Sequence, residues 1–468
     1  SVTRFGAGSR SRVVQNIGQE FESAQAAMHP VTSARDVVAC DLEADCVKTD
    51  CVKNGETGPV HSVTRFGATM ELVVTQLGTG VLLLPFCFSQ AGIIPSVLLV
   101  IVVGATASSR AALLAECFDI AEAKCSLKSL SFIDVARSAL GKCGEIAVSF
   151  SMSGTLFSAA LAFVILWGQL LASLHPWQGL TLFWSEVAWK AIATIFILAT
   201  SFMKGMSEMQ WVGTVGTLAT LFVIAVIISA AITNFDDGVH QVSWAPRSGS
   251  ALLGSITTFC YSYGATMTLP TIAQDMQDRA KDLKPAVYHS HALSTGLYVL
   301  IGVVAYLGFG DDVQKDVLDT LRPGHKALWL CGVGFILLHL VMAAPVFVQV
   351  VIGSVEERLP ARAWIAVTCR VAIVSAIFLL ACAPITIFAD FVAIVPATGV
   401  TLNCFMWPAL IYLGLMRNLH GGFKLAVREA PGKFLFDAIV MVLAISAMVL
   451  GTKAGIQHLI VDLREASH

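Results

Sequence analysis

Long apolar runs separated by short polar loops dominate the chain. The runs are 70–90, 93–117, 145–174, 187–203, 211–232, 251–273, 286–308, 326–354, 363–383, 387–414 and 434–456. One membrane crossing by a helix needs about 20 mainly apolar residues. The pattern therefore predicts eleven transmembrane helices and an all-α membrane protein. The third and eighth runs are long enough to require tilt. The first two are joined by almost nothing and predict a tight hairpin. Residues 1–68 read as a flexible polar tail, 69–457 as the transmembrane domain, and 458–468 as a short C-terminal tail.

Composition agrees with this pattern. Hydrophobic residues make up 56% of the 468 and charged residues 13%, against about a quarter charged in soluble domains. The net charge of −2 hides an asymmetry between loops. With the N-terminal tail in the cytoplasm, the inner loops hold Lys124, Lys128, Arg137, Lys142, Lys204, Arg279, Lys281, Lys284, Arg358, Arg362, Arg417, Lys424, Arg428 and Lys433. The outer loops hold Arg247, Lys315, Arg322 and Lys326, with Lys190 near the outer start of the fourth run. The excess of inner cations predicts a cytoplasmic N-terminus and an outer or lumenal C-terminus. No basic footprint for nucleic acid is present.

The tail opens on Ser and lacks the apolar core of a signal peptide, so an upstream start that is missing or processed is left open. Its heptapeptide SVTRFGA recurs at 62–68, where it leads into the first apolar run. A local duplication or an assembly scar explains the repeat, and a pair of interfacial segments is the alternative. Cys40, Cys46 and Cys51, with His61 nearby, fit no zinc spacing. No structural disulfide, metal, cofactor or catalytic constellation is expected, so the chain does not read as an enzyme.

Two of the apolar runs are interrupted. The first reads MELVVTQLGTGVLLLPFCFSQ. Gly78 and Gly80 free the backbone, and Pro85 removes a helical N–H. The sixth reads SALLGSITTFCYSYGATMTLPTI, with a polar centre from Cys260 to Thr266. Pro270 follows Gly264 much as Pro85 follows Gly80. Irregular backbone at membrane depth persists only where it lines protein or a water-filled cavity. A matched pair of breaks, each opening a five-helix half, points to an inverted repeat with a binding site at its centre. Close helix packing by glycine is the plainer reading of the first break alone.

The breaks also suggest a ligand. The outer half of the first helix starts near Gly80, and its free N–H groups suit a carboxylate. The outer half of the sixth ends near Tyr261–Tyr263, and its free carbonyls suit an ammonium. The first, third and sixth runs carry no ionised residue at mid-depth, so a neutral amino acid fits best. The candidate substrate-binding residues are Thr75, Gly78, Thr79, Gly80, Tyr261, Ser262, Tyr263 and Gly264.

These residues resemble the amino acid/auxin permease family over about 62–456. Four segments carry the resemblance: GTGVLLLPFCFSQAG, FCYSYGATMTLPTIAQDM, YLGFG at Tyr306–Gly310, and DFVAIVPATGVTLNCFMWPALIYL at Asp390–Leu413. The resemblance implies the leucine-transporter type of fold, with eleven helices, a 5+5 inverted repeat and helices one and six broken. It also implies alternating access, an amino acid or related small substrate, and coupling to H+ or Na+. Gly264-Ala265 stand where many members carry His or another polar residue, which leaves side-chain selectivity open. In sodium-coupled relatives a polar side chain four residues before the first motif glycine helps hold the ion, together with a hydroxyl two residues before a proline of helix eight. Here the first position is Val74, and the residues before Pro345 are Ala343 and Ala344. No sodium site of that type is expected, which leaves proton coupling or exchange.

His339, inside the eighth run, is the proton-coupling candidate; a histidine bonded to a neighbouring helix is the plainer reading. Glu71 and Glu116 lie near cytoplasmic helix ends, where water is expected to reach them, and read as gate or surface residues. Asp390 reads as a helix cap or a vestibule residue, the loop 311–319 as solvated, and the aromatic stretch 175–189 as an interfacial belt. The expected partners are an amino acid, the lipid bilayer and H+, at a plasma or vacuolar/lysosomal-type membrane. A passive channel and a non-transporting amino acid sensor remain the alternatives.

Overall fold

The computed structural model describes residues 63–78, 80–125, 131–203, 206–235, 242–356, 358–360, 362–383, 398–429 and 431–466. Expectations for tail residues 1–62, Thr79 and Asp390 lie outside these residues, whereas 63–68, placed in the flexible tail by the sequence, hold a bridge residue and the start of the first helix. The chain divides into units 1–58 and 59–468, and every described residue belongs to the second.

All regular structure described is helical, joined by one isolated bridge between Val63 and Met276. The helices are α1 (Arg65–Gln76), α2 (Gly80–Ala91), α3 (Ile93–Cys125), α4 (Phe132–Leu174), α5 (Leu182–Thr200), α6 (Met206–Thr233), α7 (Gly249–Tyr261), α8 (Leu269–Asp275), α9 (Arg279–Phe309), α10 (Val317–Leu321), α11 (Lys326–Glu356), α12 (Ala363–Ala381), α13 (Trp407–Leu419), α14 (Phe423–Glu429) and α15 (Pro431–Ala466). Among the described residues, nine helical stretches are long and apolar enough to cross a membrane, and the bent pair α1–α2 makes a tenth. The sixth apolar run appears as α7, a 3-10 turn at Gly264–Met267, and α8. Neither helix of that pair could cross alone.

Helix starts follow local chemistry. Thr64 Oγ1 accepts the Gly67 N–H to cap α1, and Ser131 Oγ accepts the Asp134 N–H to cap α4. The third helix begins at Phe132 rather than 145. Its first turns are set off by Gly141, whose φ of 72° suits a residue without Cβ. The span Thr398–Leu419, the last but one, contains a π-helical turn at Leu402–Met406. Such turns leave one residue out of the regular ladder.

The core is built around α11, which packs on α6 and α4, and around α9, which packs on α3, α1, α2 and α6. Helices α5 and α12 are the least enclosed. Trp177 and Trp184 of the aromatic stretch are exposed. The acidic loop does more than meet solvent. Asp311 pairs with Arg247, and Asp316 accepts the Leu318 N–H at the start of α10.

Candidate functional site

The α1 helix stops because Leu77, at φ −76° and ψ 46°, leaves helical geometry. Its N–H still reaches the Val73 carbonyl, at 2.8 Å, and the Gly78 N–H turns back to the Gln76 carbonyl, at 2.8 Å. The chain restarts as α2 at Gly80, bent 56° from α1. The second interruption follows a similar logic. Tyr263, at φ −107° and ψ 44°, ends the α7 geometry. Pro270 then lies in the first turn of α8, where its missing N–H costs little.

The two breaks meet. A Cβ built on Gly80 would lie 2.6 Å from Ser262 Oγ, so any side chain there must displace the serine of the second break. One side chain reaches both. The Tyr298 hydroxyl, from α9, lies 2.5 Å from the Gln76 carbonyl and 2.7 Å from the Ser262 carbonyl. With a single hydrogen it donates to one of them at a time. Tyr298→Phe is expected to leave both buried carbonyls without this donor. Removing it should cost about 1–3 kcal/mol of stability and loosen the geometry between the breaks. Thermal unfolding of the purified variant checks this, and an unchanged midpoint would contradict it.

Around this junction lies a small cavity. Thr75, Gln76, Gly78 and Gly80 line it from the first break, and Tyr261, Ser262 and Gly264 from the second. Six of the eight expected binding residues therefore border one space. Thr79 lies outside the described residues. Tyr263 is buried behind the cavity, where its hydroxyl meets Thr295 Oγ1 at 2.9 Å and its ring stacks on His291. Thr75 turns its hydroxyl back onto the Leu72 carbonyl, at 2.9 Å. Gln76 gives its amide nitrogen to His291, while its Oε1 has no hydrogen-bond partner.

The remaining wall was not anticipated from the sequence. Thr155, Leu156, Ala159 and Phe163 come from α4, Phe347 from α11, and Met267 and Val400 complete it. Phe163 and Phe347 face each other with ring centroids 5.5 Å apart. Thr155 accepts a hydrogen bond from Asn403 Nδ2, at 3.1 Å, out of the π-helical turn. An Asn inside an apolar run was the available signal for that link. Among the described residues, no charged side chain lines the cavity.

His339 lies one layer back, its ring edge towards Phe163 at 6.2 Å. Its Nδ1 meets Thr220 Oγ1 at 2.7 Å and the Gly216 carbonyl at 3.2 Å. Glu71 departs from the expectation of a water-exposed gate residue. Its side chain is fully buried because α6 backs onto it at Gly213, where a Cβ would lie 3.1 Å from the Glu71 Cγ. Glu116 does lie near the surface and pairs with Lys433.

Fold and site together define a multi-pass α-helical membrane protein with a central cavity where two interrupted helices meet. The sequence pattern of a known family, transmembrane amino acid transporter protein, matches residues 61–457. The chain belongs to that family, which is one of transporters and not of enzymes. It is 23% identical over 284 residues to solute carrier family 38 member 10 of Rattus norvegicus, covering 59% of this chain but only 25% of that protein. With amino acid transporter AVT1C of Arabidopsis thaliana it is 20% identical, over 94% of this chain and 77% of the relative. The crystal structure of MhsT in complex with L-phenylalanine shares the fold, with a TM-score of 0.51 and 15% identity, over 86% of this chain and 99% of that one.

Proposed function

We propose that this protein is a secondary active transporter that moves neutral amino acids across a membrane by alternating access. The observation that carries this reading is the meeting of both helix breaks at one cavity without a charged side chain among its described lining residues. The N-terminal end of α2 offers N–H groups and a partial positive charge to a carboxylate. The C-terminal end of α7 and the unpartnered Gln76 Oε1 offer acceptors to an ammonium. Leu156, Ala159, Phe163, Phe347 and Met267 give the side chain of the substrate an apolar environment. The relatives named above as amino acid transporters support the substrate class.

In this reading the α1–α2 and α7–α8 pairs each make one span, which gives eleven spans in a 5+5 inverted repeat with a final extra helix. The N-terminus is cytoplasmic, and the membrane is the plasma membrane or a vacuolar/lysosomal-type membrane. The deciding test is counterflow in proteoliposomes loaded with each neutral amino acid in turn. Saturable exchange supports a carrier; the absence of any flux would leave a sensor.

The coupling ion is H+, or the protein exchanges substrates without one. Sodium needs several oxygen ligands. Val74 is buried against Gly216, and Ala343 and Ala344 are also buried, with no side-chain oxygen among the three. Uptake is expected to be the same with inward Na+ or inward K+ at fixed pH. Stimulation by Na+ alone would refute this.

A further inference from the structure

Glu71 has a setting that the cavity alone does not explain. It lies four residues before Thr75, hence on the same face of α1 and one turn, about 5.4 Å, below a cavity-lining residue. Its side chain is fully buried, and neither carboxylate oxygen has a hydrogen-bond partner.

Among the described residues, the groups packed around α1 supply no counter-ion. On α8, the one titratable residue is Asp275, a second carboxylate. On α9, Arg279 pairs with Asp119 and Glu122, Lys284 pairs with Asp119, and Asp282 takes Arg65 of α1 itself. His291 of α9 donates from Nδ1 to the Val287 carbonyl and accepts from Gln76 at Nε2. On α6, the one titratable residue is Glu208, whose side chain is outside the described residues. His339 of α11 is held by Thr220 and the Gly216 carbonyl. A buried carboxylate needs either donors or a proton of its own.

The inner halves of the two broken helices are also clasped. The Val63 N–H donates to the Asp275 carbonyl at 3.1 Å, and the Gln277 N–H to the Val63 carbonyl at 3.2 Å. Parting α1 from α8 would break both of these bonds.

We propose that Glu71 is the proton-binding site that couples H+ to transport. With α1 and α8 closed, its carboxyl carries the proton. When they part, the O–H bond breaks, the proton passes to water on that side, and the carboxylate is hydrated. Approach from the cavity reverses the step: a proton from cavity water forms the O–H bond, and closure follows. His339 then has a packing role. This assignment rests on the transport reading above.

The test uses the whole protein in proteoliposomes, with a mixture of radiolabelled neutral amino acids as the probe. Counterflow at equal pH and uptake under an imposed pH gradient are measured side by side. For the wild type, an inward gradient of one pH unit should drive accumulation up to about tenfold. Glu71→Gln, which mimics the protonated acid, should keep counterflow and lose the accumulation. Glu71→Asp should keep it with a shifted pH profile, and His339→Gln should keep it. Accumulation by Glu71→Gln equal to wild type overturns the assignment. So does a wild type that shows counterflow but ignores the gradient, and that result leaves the transport reading intact. No counterflow in the wild type removes both. Should Glu71→Gln fail to insert, loss of accumulation in an inserted Glu71→Asp overturns the assignment.

Discussion

Gly80→Leu is expected to insert into the membrane yet lose substrate binding by roughly 100-fold or more. The estimate follows from losing two hydrogen bonds to a carboxylate, each worth about 1.5–3 kcal/mol. The structural reason is steric. Even a Cβ at residue 80 would stand 2.6 Å from Ser262 Oγ and 3.3 Å from its Cβ. A leucine must therefore push the two breaks apart or project into the cavity that they share. A thermal-shift titration with the transported amino acid reads the loss, and an unchanged affinity would sink the argument. The contact also predicts a suppressor. Gly80→Ala should bind weakly, and adding Ser262→Gly should restore part of the affinity, because it removes the atoms that the new methyl meets.

The second large effect concerns the last helix. Arg110 of α3 and Asp437 of α15 form an ion pair whose side chains are 4% and 2% exposed. Phe436 lies beside the guanidinium, with its ring centroid 4.9 Å from Arg110 Cζ. Asp437→Ala should lower stability by about 3–5 kcal/mol, because a guanidinium is left buried without its partner. Replacing both residues by leucine should recover most of that loss, since neither charge is then stranded. Thermal unfolding in detergent distinguishes the outcomes. If the double variant were no more stable than Asp437→Ala, the damage would lie in packing and not in the stranded charge.

The parts of this protein that could be read from sequence are those written in local chemistry. Gly78, Gly80 and Gly264 mark where the interruptions fall, although the residues that leave helical geometry are their neighbours Leu77 and Tyr263. Pro270 marks the restart of α8. What escaped is set by facing. An apolar run in a membrane has no polar side to orient it, so nothing distinguished Leu156, Ala159 and Phe163 from their neighbours on α4. Tyr298 escaped because its partners are main-chain carbonyls of two distant segments, which leave no trace in side-chain identity. Glu71 was misjudged because distance from a helix end measures depth in the chain and says nothing of what packs above it. There it is Gly213, an absent side chain, that creates the room. The helix at 132–140 was missed because it is too short and too polar to register as a crossing.

The clasp between Val63 and the end of α8 is made entirely of peptide groups. Side-chain drift cannot strengthen or weaken it directly, and among substitutions only a proline at 63 or 277 deletes one of its donors. On the transport reading, every cycle must break these same two bonds whichever substrate is carried. That step is a toll common to all cargoes: good and poor substrates should differ in how readily they load, while their maximal velocities converge on a single ceiling set by the backbone.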